Sequence, residues 1–150
     1  MRSRAQHAVP LQFTPPIKEN PMPPLLVTAA IVAYRGKILL TQRPPNKQHG
    51  GLWEFPGGKL EENESPICGL KRELREEVGL EVTNCQIYEV VYHQYDWGPV
   101  LLMFYSCEST TEHVEHYQVA DHAWLKPHQL LDYDILPADQ QMVAALADHA

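Results

Sequence analysis

Cysteine is scarce in this chain. The three present, Cys68, Cys85 and Cys107, are an odd number and form no C-x-x-C pair, which excludes a disulfide framework and a cysteine-built zinc centre. They read as small core residues or free thiols of a reducing compartment. Long apolar runs are missing too: none approaches the ~18 residues of a membrane span, and no apolar signal core follows the two N-terminal arginines. A cytoplasmic protein without a membrane partner is the expectation. Positive charge is the third shortage. Twelve Lys and Arg stand against 19 Asp and Glu, a net charge of -7, so the surface field does not favour long DNA or RNA. The eight histidines, His113 and His116 included, show no ligand spacing with a cysteine or a second histidine and read as surface residues.

What is present fits one globular domain: 150 residues, 44% hydrophobic and 21% charged, enough for a single core. Residues 1–24 hold six of the 13 prolines and no periodicity, so they read as an extended arm set apart from a domain over 25–150. Leu25 to Arg43 reads as two strands meeting in a hairpin at Arg35-Gly36. Pro44 to Gly51 reads as a loop and Leu52 to Phe55 as a short extended piece, after which Gly57 and Gly58 break the chain. Ser65-Pro66 is a helix start and Gly79 a stop, predicting a helix over Pro66–Val78. Strands are expected over Glu81–Tyr95, Pro99–Thr110 and Val119–Leu125, and an amphipathic helix closes the chain from Ala138. The order points to an α+β layered fold with a mixed sheet.

On the predicted helix, Ile67, Leu70, Leu74 and Val78 form the stripe that would bury against a sheet. Glu73, Glu76 and Glu77 stand at i, i+3 and i+4, sharing a sector beside that stripe. Taken alone, such a run reads as a solvated face balanced by Lys71, Arg72 and Arg75. Its wider spacing is more specific: Gly58, five residues, Glu64, seven residues, Arg72-Glu73-Leu74, one residue, Glu76-Glu77, one residue, Gly79-Leu80. Carboxylates on one helical ridge suit hard, octahedral Mg²⁺, with Mn²⁺ as an alternative.

The spaced pattern resembles the Nudix box, G-x5-E-x7-R-E-U-x-E-E-x-G-U with U a bulky aliphatic residue. The resemblance implies an α/β/α sandwich with a mixed sheet and a loop-helix-loop, and hydrolysis of a nucleoside diphosphate linked to another group. It implies Glu73, Glu76, Glu77 and the Gly57 carbonyl as metal ligands, Glu64 as a supporting carboxylate, and Arg72 as the cation that holds a helix glutamate; Glu73, Glu76 and Arg72 are thereby catalytic. An exposed i,i+4 partner of Glu76 is the competing reading of Arg72.

The flanking segments, "LLTQRPP…GLWEFPGGK" and "WLKPHQLLDYDILPAD", resemble the MutT-like branch of the family. That resemblance implies a (deoxy)nucleoside triphosphate substrate, oxidised or cytosine nucleotides among them, cleaved to a nucleoside monophosphate and pyrophosphate. Arg43, Phe55 and Asp139, with Gly58 and Lys59, make the substrate-binding set it implies. An edge-strand charge, a core phenylalanine and a helix N-cap compete for Arg43, Phe55 and Asp139 respectively. Relatives often carry a glutamate where this chain has Gln118, so Glu115 is the candidate general base, with a solvated loop glutamate as its alternative. Competing functions are a Nudix enzyme for dinucleoside polyphosphates, on account of Tyr95, or for nucleotide sugars, and a nucleotide-sensing module without turnover. A monomer or homodimer is expected.

Overall fold

In a computed structural model, residues 22–148 are described; most of the proline-rich arm assigned to residues 1–24 therefore lies outside the described residues. Strand β1 (Leu25–Tyr34) turns at Arg35-Gly36, both at positive φ (46° and 75°), into β2 (Lys37–Gln42). Two successive left-handed residues match the twist of the flanking strands, which is why this dipeptide closes the hairpin. Short strands β3 (Trp53–Glu54) and β4 (Gly57–Lys59) follow, then helix α1 (Pro66–Val78), long strands β5 (Val82–Tyr95) and β6 (Gly98–Ser109), β7 (Asp121–Leu125), two 3₁₀ turns (Pro127–Asp132 and Pro137–Asp139) and helix α2 (Gln140–Asp148).

The sheet runs β3-β2-β1-β6-β5, with β4 paired to β1 and β7 to β2. It is mixed: β1 lies parallel to β6, with Ala29 opposite Phe104, and antiparallel to β2 and β4. Alternation along the central strands explains why both faces are covered. Ala29, Ile31, Ile38, Leu40, Leu102 and Phe104 face one way, into a core with Met142 and Val143 of α2. Ala30, Val32, Leu39, Tyr105 and Cys107 face the other, against Leu70, Leu74 and Val78 of α1. The expected sandwich is present, and the near-continuous apolar sequence of β1 is the mark of a strand buried on both sides.

Helix α1 starts and stops where its sequence signals stand. The Ser65 hydroxyl accepts from the Cys68 N–H at 3.3 Å, and Pro66 occupies the first turn. Gly79 ends the helix at φ 65°, its N–H donating to Arg75 O while the Leu80 N–H reaches Leu74 O, a left-handed cap that satisfies two orphan carbonyls. One expectation needs correcting: Ile67 is 39% exposed, so the buried stripe begins a turn later. The loop carrying Leu60 and Glu64 covers the first turn instead, packed over Gly69, where a Cβ would lie 2.8 Å from Glu64 Oε1. Among the described residues, no helix is long and apolar enough to cross a membrane.

Candidate active site

Two glycines set the distance between sheet and helix. Gly57 and Gly58 pair with Ala29 and Thr28 of β1. A Cβ on Gly57 would run into the Thr28 carbonyl and stand 2.8 Å from Ala29 Cα, and one on Gly58 would stand 2.7 Å from Glu73 Oε2. Only residues without a side chain let β4 lie this close to both neighbours. Sequence reading placed a chain break here, because three residues rich in glycine carry no strand signal; the β4–β1 pairing is set by tertiary contact.

Arg72 gathers the carboxylates. Its Nε and Nη2 donate to the two oxygens of Glu64 at 2.7 and 2.9 Å, its Nη1 to Glu73 Oε1 at 3.0 Å and Glu76 Oε2 at 3.1 Å, and Nη2 also to the Lys59 carbonyl at 3.1 Å. The Glu76 contact is the i,i+4 pair that sequence alone allowed, yet it is one of five. The guanidinium holds the Glu64 carboxyl down to about 2, helped by the Glu61 backbone N–H. The Glu73 carboxyl is raised by burial in spite of the adjacent guanidinium, and Glu76 and Glu64 push the same way. Glu77 is pushed up to about 8 by burial and by the charges of Glu73 and Glu54, with a Gly57 backbone hydrogen bond and Lys47 acting against the rise.

A cleft of about 430 Å³ opens between this helix face and the sheet, a volume suited to a nucleotide-sized ligand. Gly57, Gly58, Lys59, Glu73 and Glu77 line it together with Arg43, Glu54, Phe55 and Asp139. Eight of the residues expected from the sequence therefore meet in one place. Glu76 is not among the lining residues; its carboxylate is 46% exposed and joins Glu73 through Arg72 Nη1. Glu115 does not reach the cleft either. Its carboxylate lies 2.8 Å from His113 Nε2, while Gln118 is the residue of that loop that does line the cleft.

The donor set fits a hard divalent cation. Carboxylates whose protons are held up by burial and by one another's charge gain most from a dipositive neighbour, and carboxylate oxygens are the ligands such ions prefer. Gly58 supports the fit, since its missing side chain leaves the Glu73 carboxylate its place against the backbone of β4.

In the same cleft, Arg43 Nη1 donates to both oxygens of Glu54 at 3.2 Å and its Nε to the Gln48 carbonyl at 2.9 Å. This arginine is thus tied to the cleft wall rather than left as an edge-strand charge. Phe55 is 3% exposed and packs edge-on against Phe104, ring centroids 5.8 Å apart, so its ring belongs to the core. Its backbone N–H donates to Asp139 Oδ2 at 3.0 Å. Asp139, 3% exposed, ends a 3₁₀ turn instead of capping α2, which begins at Gln140. Burial, reinforced by the charge of Glu54, pushes its carboxyl up to about 8.

Sequence reading passed over Glu54, Lys47 and Trp97. Glu54 sits in the quoted "LWEFPGGK" but carries no spacing of its own; its carboxyl is raised by burial, against the pull of Arg43. Trp97 stacks on Tyr95 with centroids 5.2 Å apart and planes 7° from parallel, and both line the cleft. The β5–β6 turn that carries Trp97 has no hairpin signature in sequence, so nothing there pointed to the cleft.

With this geometry in view, comparison with known proteins gives a consistent picture. The NUDIX domain family model matches residues 24–146. A CTP pyrophosphohydrolase of Escherichia coli (strain K12) is 38% identical over 124 residues, 79% of this chain and 88% of the relative. An 8-oxo-dGTP diphosphatase of Proteus vulgaris is 40% identical over 82 residues, 54% of this chain and 73% of that protein. The solution structure of the E. coli ORF135 protein superimposes with a TM-score of 0.65 at 36% identity, covering 85% of this chain and 91% of that one. A carboxylate-bearing helix held by one arginine over a glycine-lined cleft and a family match spanning nearly the whole domain lead to one conclusion: the chain belongs to the NUDIX domain family of hydrolases acting on phosphoric anhydrides.

Proposed function

We propose that the chain hydrolyses (deoxy)nucleoside triphosphates to a nucleoside monophosphate and pyrophosphate with Mg²⁺ as cofactor, Mn²⁺ substituting, and that its substrates are oxidised or cytosine nucleotides. The observation that carries this reading is the convergence in one cleft of Glu73 and Glu77 with Gly57-Gly58-Lys59 and Asp139. Homology supports it, through relatives named for CTP and for 8-oxo-dGTP.

Glu73, Glu76, Glu77 and the Gly57 carbonyl are the groups that would hold the cation. Bound there, Mg²⁺ supplies charge neutralisation of the phosphate oxygens and acidification of a coordinated water. Arg72 keeps Glu73 and Glu76 in register with each other. Lys47, Lys59 and Arg43 line the cleft as the cations that a chain of net charge -7 needs beside a polyphosphate.

Asp139 reads the base. With its carboxyl at about 8 it is mostly protonated at neutral pH, so it offers a donor as well as an acceptor. An ionised aspartate would only accept. The stacked Tyr95 and Trp97 give the base a flat aromatic neighbour. Glu115, turned to His113, is poorly placed to take a proton from water, and Gln118 has no basic group. Of the two cleft carboxylates outside the metal set, Asp139 is given to the base, and Glu54 is the candidate acceptor.

A nucleotide substrate and three free cysteines fit a reducing, cytoplasmic setting. The position of Tyr95 in the cleft favours one second reading, a dinucleoside polyphosphate as substrate. The test is pyrophosphate release, with and without Mg²⁺, from dCTP, 8-oxo-dGTP, ADP-ribose and a diadenosine polyphosphate. Mg²⁺-dependent pyrophosphate from the first two supports the proposal; preferred cleavage of either of the others, or no cleavage of any, overturns it.

A further inference from the structure

The histidines that sequence spacing left on the surface are not all scattered. His116 belongs to the loop after β6 and His122 to β7, six residues on, and their rings meet with His116 Nε2 and His122 Nδ1 2.7 Å apart. Asp121 completes the group: among the described residues, this is the one set of three His, Cys, Asp or Glu side chains whose ligand atoms all lie within 4.8 Å of one another. From this geometry we propose that His116, Asp121 and His122 form a second metal site, built for a Zn²⁺-class transition ion and separate from the carboxylates of the cleft.

The two imidazoles are brought together by independently anchored backbone. On the loop side, the N–H groups of Tyr117 and Gln118 donate to the Glu77 carbonyl at 3.1 Å each, and that of Glu115 to the Val78 carbonyl at 2.9 Å. On the strand side, Thr41 is paired with His122 and Gln42 with Asp121, and the Ala120 N–H donates to the Gln42 carbonyl at 2.9 Å. Such anchoring lowers the ordering cost of binding.

Chemistry selects the ion. Two imidazole nitrogens and one carboxylate oxygen suit Zn²⁺, Ni²⁺ or Cu²⁺ and leave a position for water, whereas Mg²⁺ prefers an all-oxygen shell. Zn–N bonds of about 2.0–2.1 Å at a tetrahedral angle would separate the two nitrogens by roughly 3.3 Å. The present contact would therefore open by roughly half an ångström, a small rotation that the exposed His116 ring can supply. Asp121 Oδ1 accepts from the His122 N–H at 2.8 Å, leaving Oδ2 for the ion. Imidazole ligands must be unprotonated, so binding at this site weakens as pH falls.

Occupancy would matter to the cleft, because the loop it pins includes Gln118, a lining residue, and hydrogen-bonds the backbone carbonyl of Glu77. The test uses the full chain with saturating Mg²⁺, so that the carboxylate cleft is filled. Zn²⁺ is titrated by calorimetry and Co²⁺ by its ligand-field absorption, for the wild type, His116→Ala, His122→Ala and Glu77→Gln. One equivalent with a tetrahedral Co²⁺ spectrum is expected for the wild type and for Glu77→Gln, with affinity at least about tenfold weaker in each histidine variant. Absence of a Mg²⁺-resistant equivalent in the wild type, or unchanged binding in the histidine variants, overturns the site. Loss in Glu77→Gln alone would mean that the ion occupies the cleft. Because the readout is metal binding, it stands or falls apart from the proposed hydrolysis.

Discussion

Arg72 grips Glu64 across eight residues with two prongs, Nε to Oε2 at 2.7 Å and Nη2 to Oε1 at 2.9 Å. The grip fixes the plane of the guanidinium, so Nη1 is aimed at Glu73 and Glu76 without further adjustment. Lysine at this position would keep the charge but could not make two parallel bonds to one carboxylate while reaching two more. Arg72→Lys is therefore expected to fold and to lose about 10- to 100-fold in turnover, as changes to groups that orient metal ligands do. Steady-state kinetics under saturating Mg²⁺ checks this; a loss of less than threefold would show that the arginine acts as a plain charge.

Gly58→Ala probes the same carboxylate from the sheet side. The added Cβ would stand 2.7 Å from Glu73 Oε2 and 2.8 Å from Oε1, closer than a carbon and an oxygen can approach. Since Gly58 lies within paired backbone, Glu73 must give way. Displacement of a ligand by about 1 Å can cost on the order of 100-fold in rate. The expected signature is a large fall in turnover with far-UV circular dichroism unchanged. Wild-type rates would mean that the position of Glu73 does not matter.

Much of this was legible in the sequence, and where it was not, the reasons are physical. Helix α1 was readable to its ends, because Ser65-Pro66 and Gly79 are local signals for local backbone events. The carboxylate spacing was readable because a helix converts sequence interval into facing direction. Strand β4 was hidden, since Gly57-Gly58-Lys59 becomes a strand only through its contact with β1. The partnership of Arg43 with Glu54 and that of Phe55 with Asp139 join residues from separate elements, and no periodicity reports them. Asp139 was read as a base contact or a helix cap, and only the fold shows that its oxygen is taken by the Phe55 N–H. His116 and His122 escaped for the same reason, their approach being set by where the loop docks on α1.

Glu77→Gln separates chemistry from folding. The carboxyl of Glu77 is raised to about 8 from 4.5, so at neutral pH without metal the folded state carries a proton there that the unfolded state lacks. Replacing it with an amide removes that penalty, and the metal-free variant is expected to melt a few degrees higher. It also removes a ligand, for which turnover should fall by about 100-fold or more, a modest share of the several kcal/mol a metal ion contributes. Calorimetry without metal and pyrophosphate assays with it read the two effects separately. A variant that is active and no more stable than wild type would contradict both halves of the assignment.

Asp139 offers the cleanest pH dependence. Its carboxyl is raised from 3.8 to about 8 because burial and Glu54 disfavour the charge. Between those two values the folded state holds a proton that the unfolded state has released, so stability attributable to this residue falls as pH rises across the window. Below it, both states are protonated and the penalty vanishes; above it, both are ionised and the penalty is complete. Asn in its place keeps an acceptor for the Phe55 N–H, 3.0 Å from Oδ2 in the wild type, keeps a donor toward the cleft, and does not titrate. Asp139→Asn should therefore come close to wild type near pH 4 and exceed it at neutral pH, by several kcal/mol or on the order of 10 °C in Tm. Because the amide reproduces the hydrogen-bonding pattern of the protonated acid, its KM at pH 7 should stay within about threefold of wild type, whereas Asp139→Ala should raise KM about tenfold or more by removing the hydrogen bond. Melting curves that run parallel for Asp139→Asn and wild type from about pH 4 to about pH 9 would show that the residue is ionised throughout, and the reading of the base through a protonated carboxyl would fall with it.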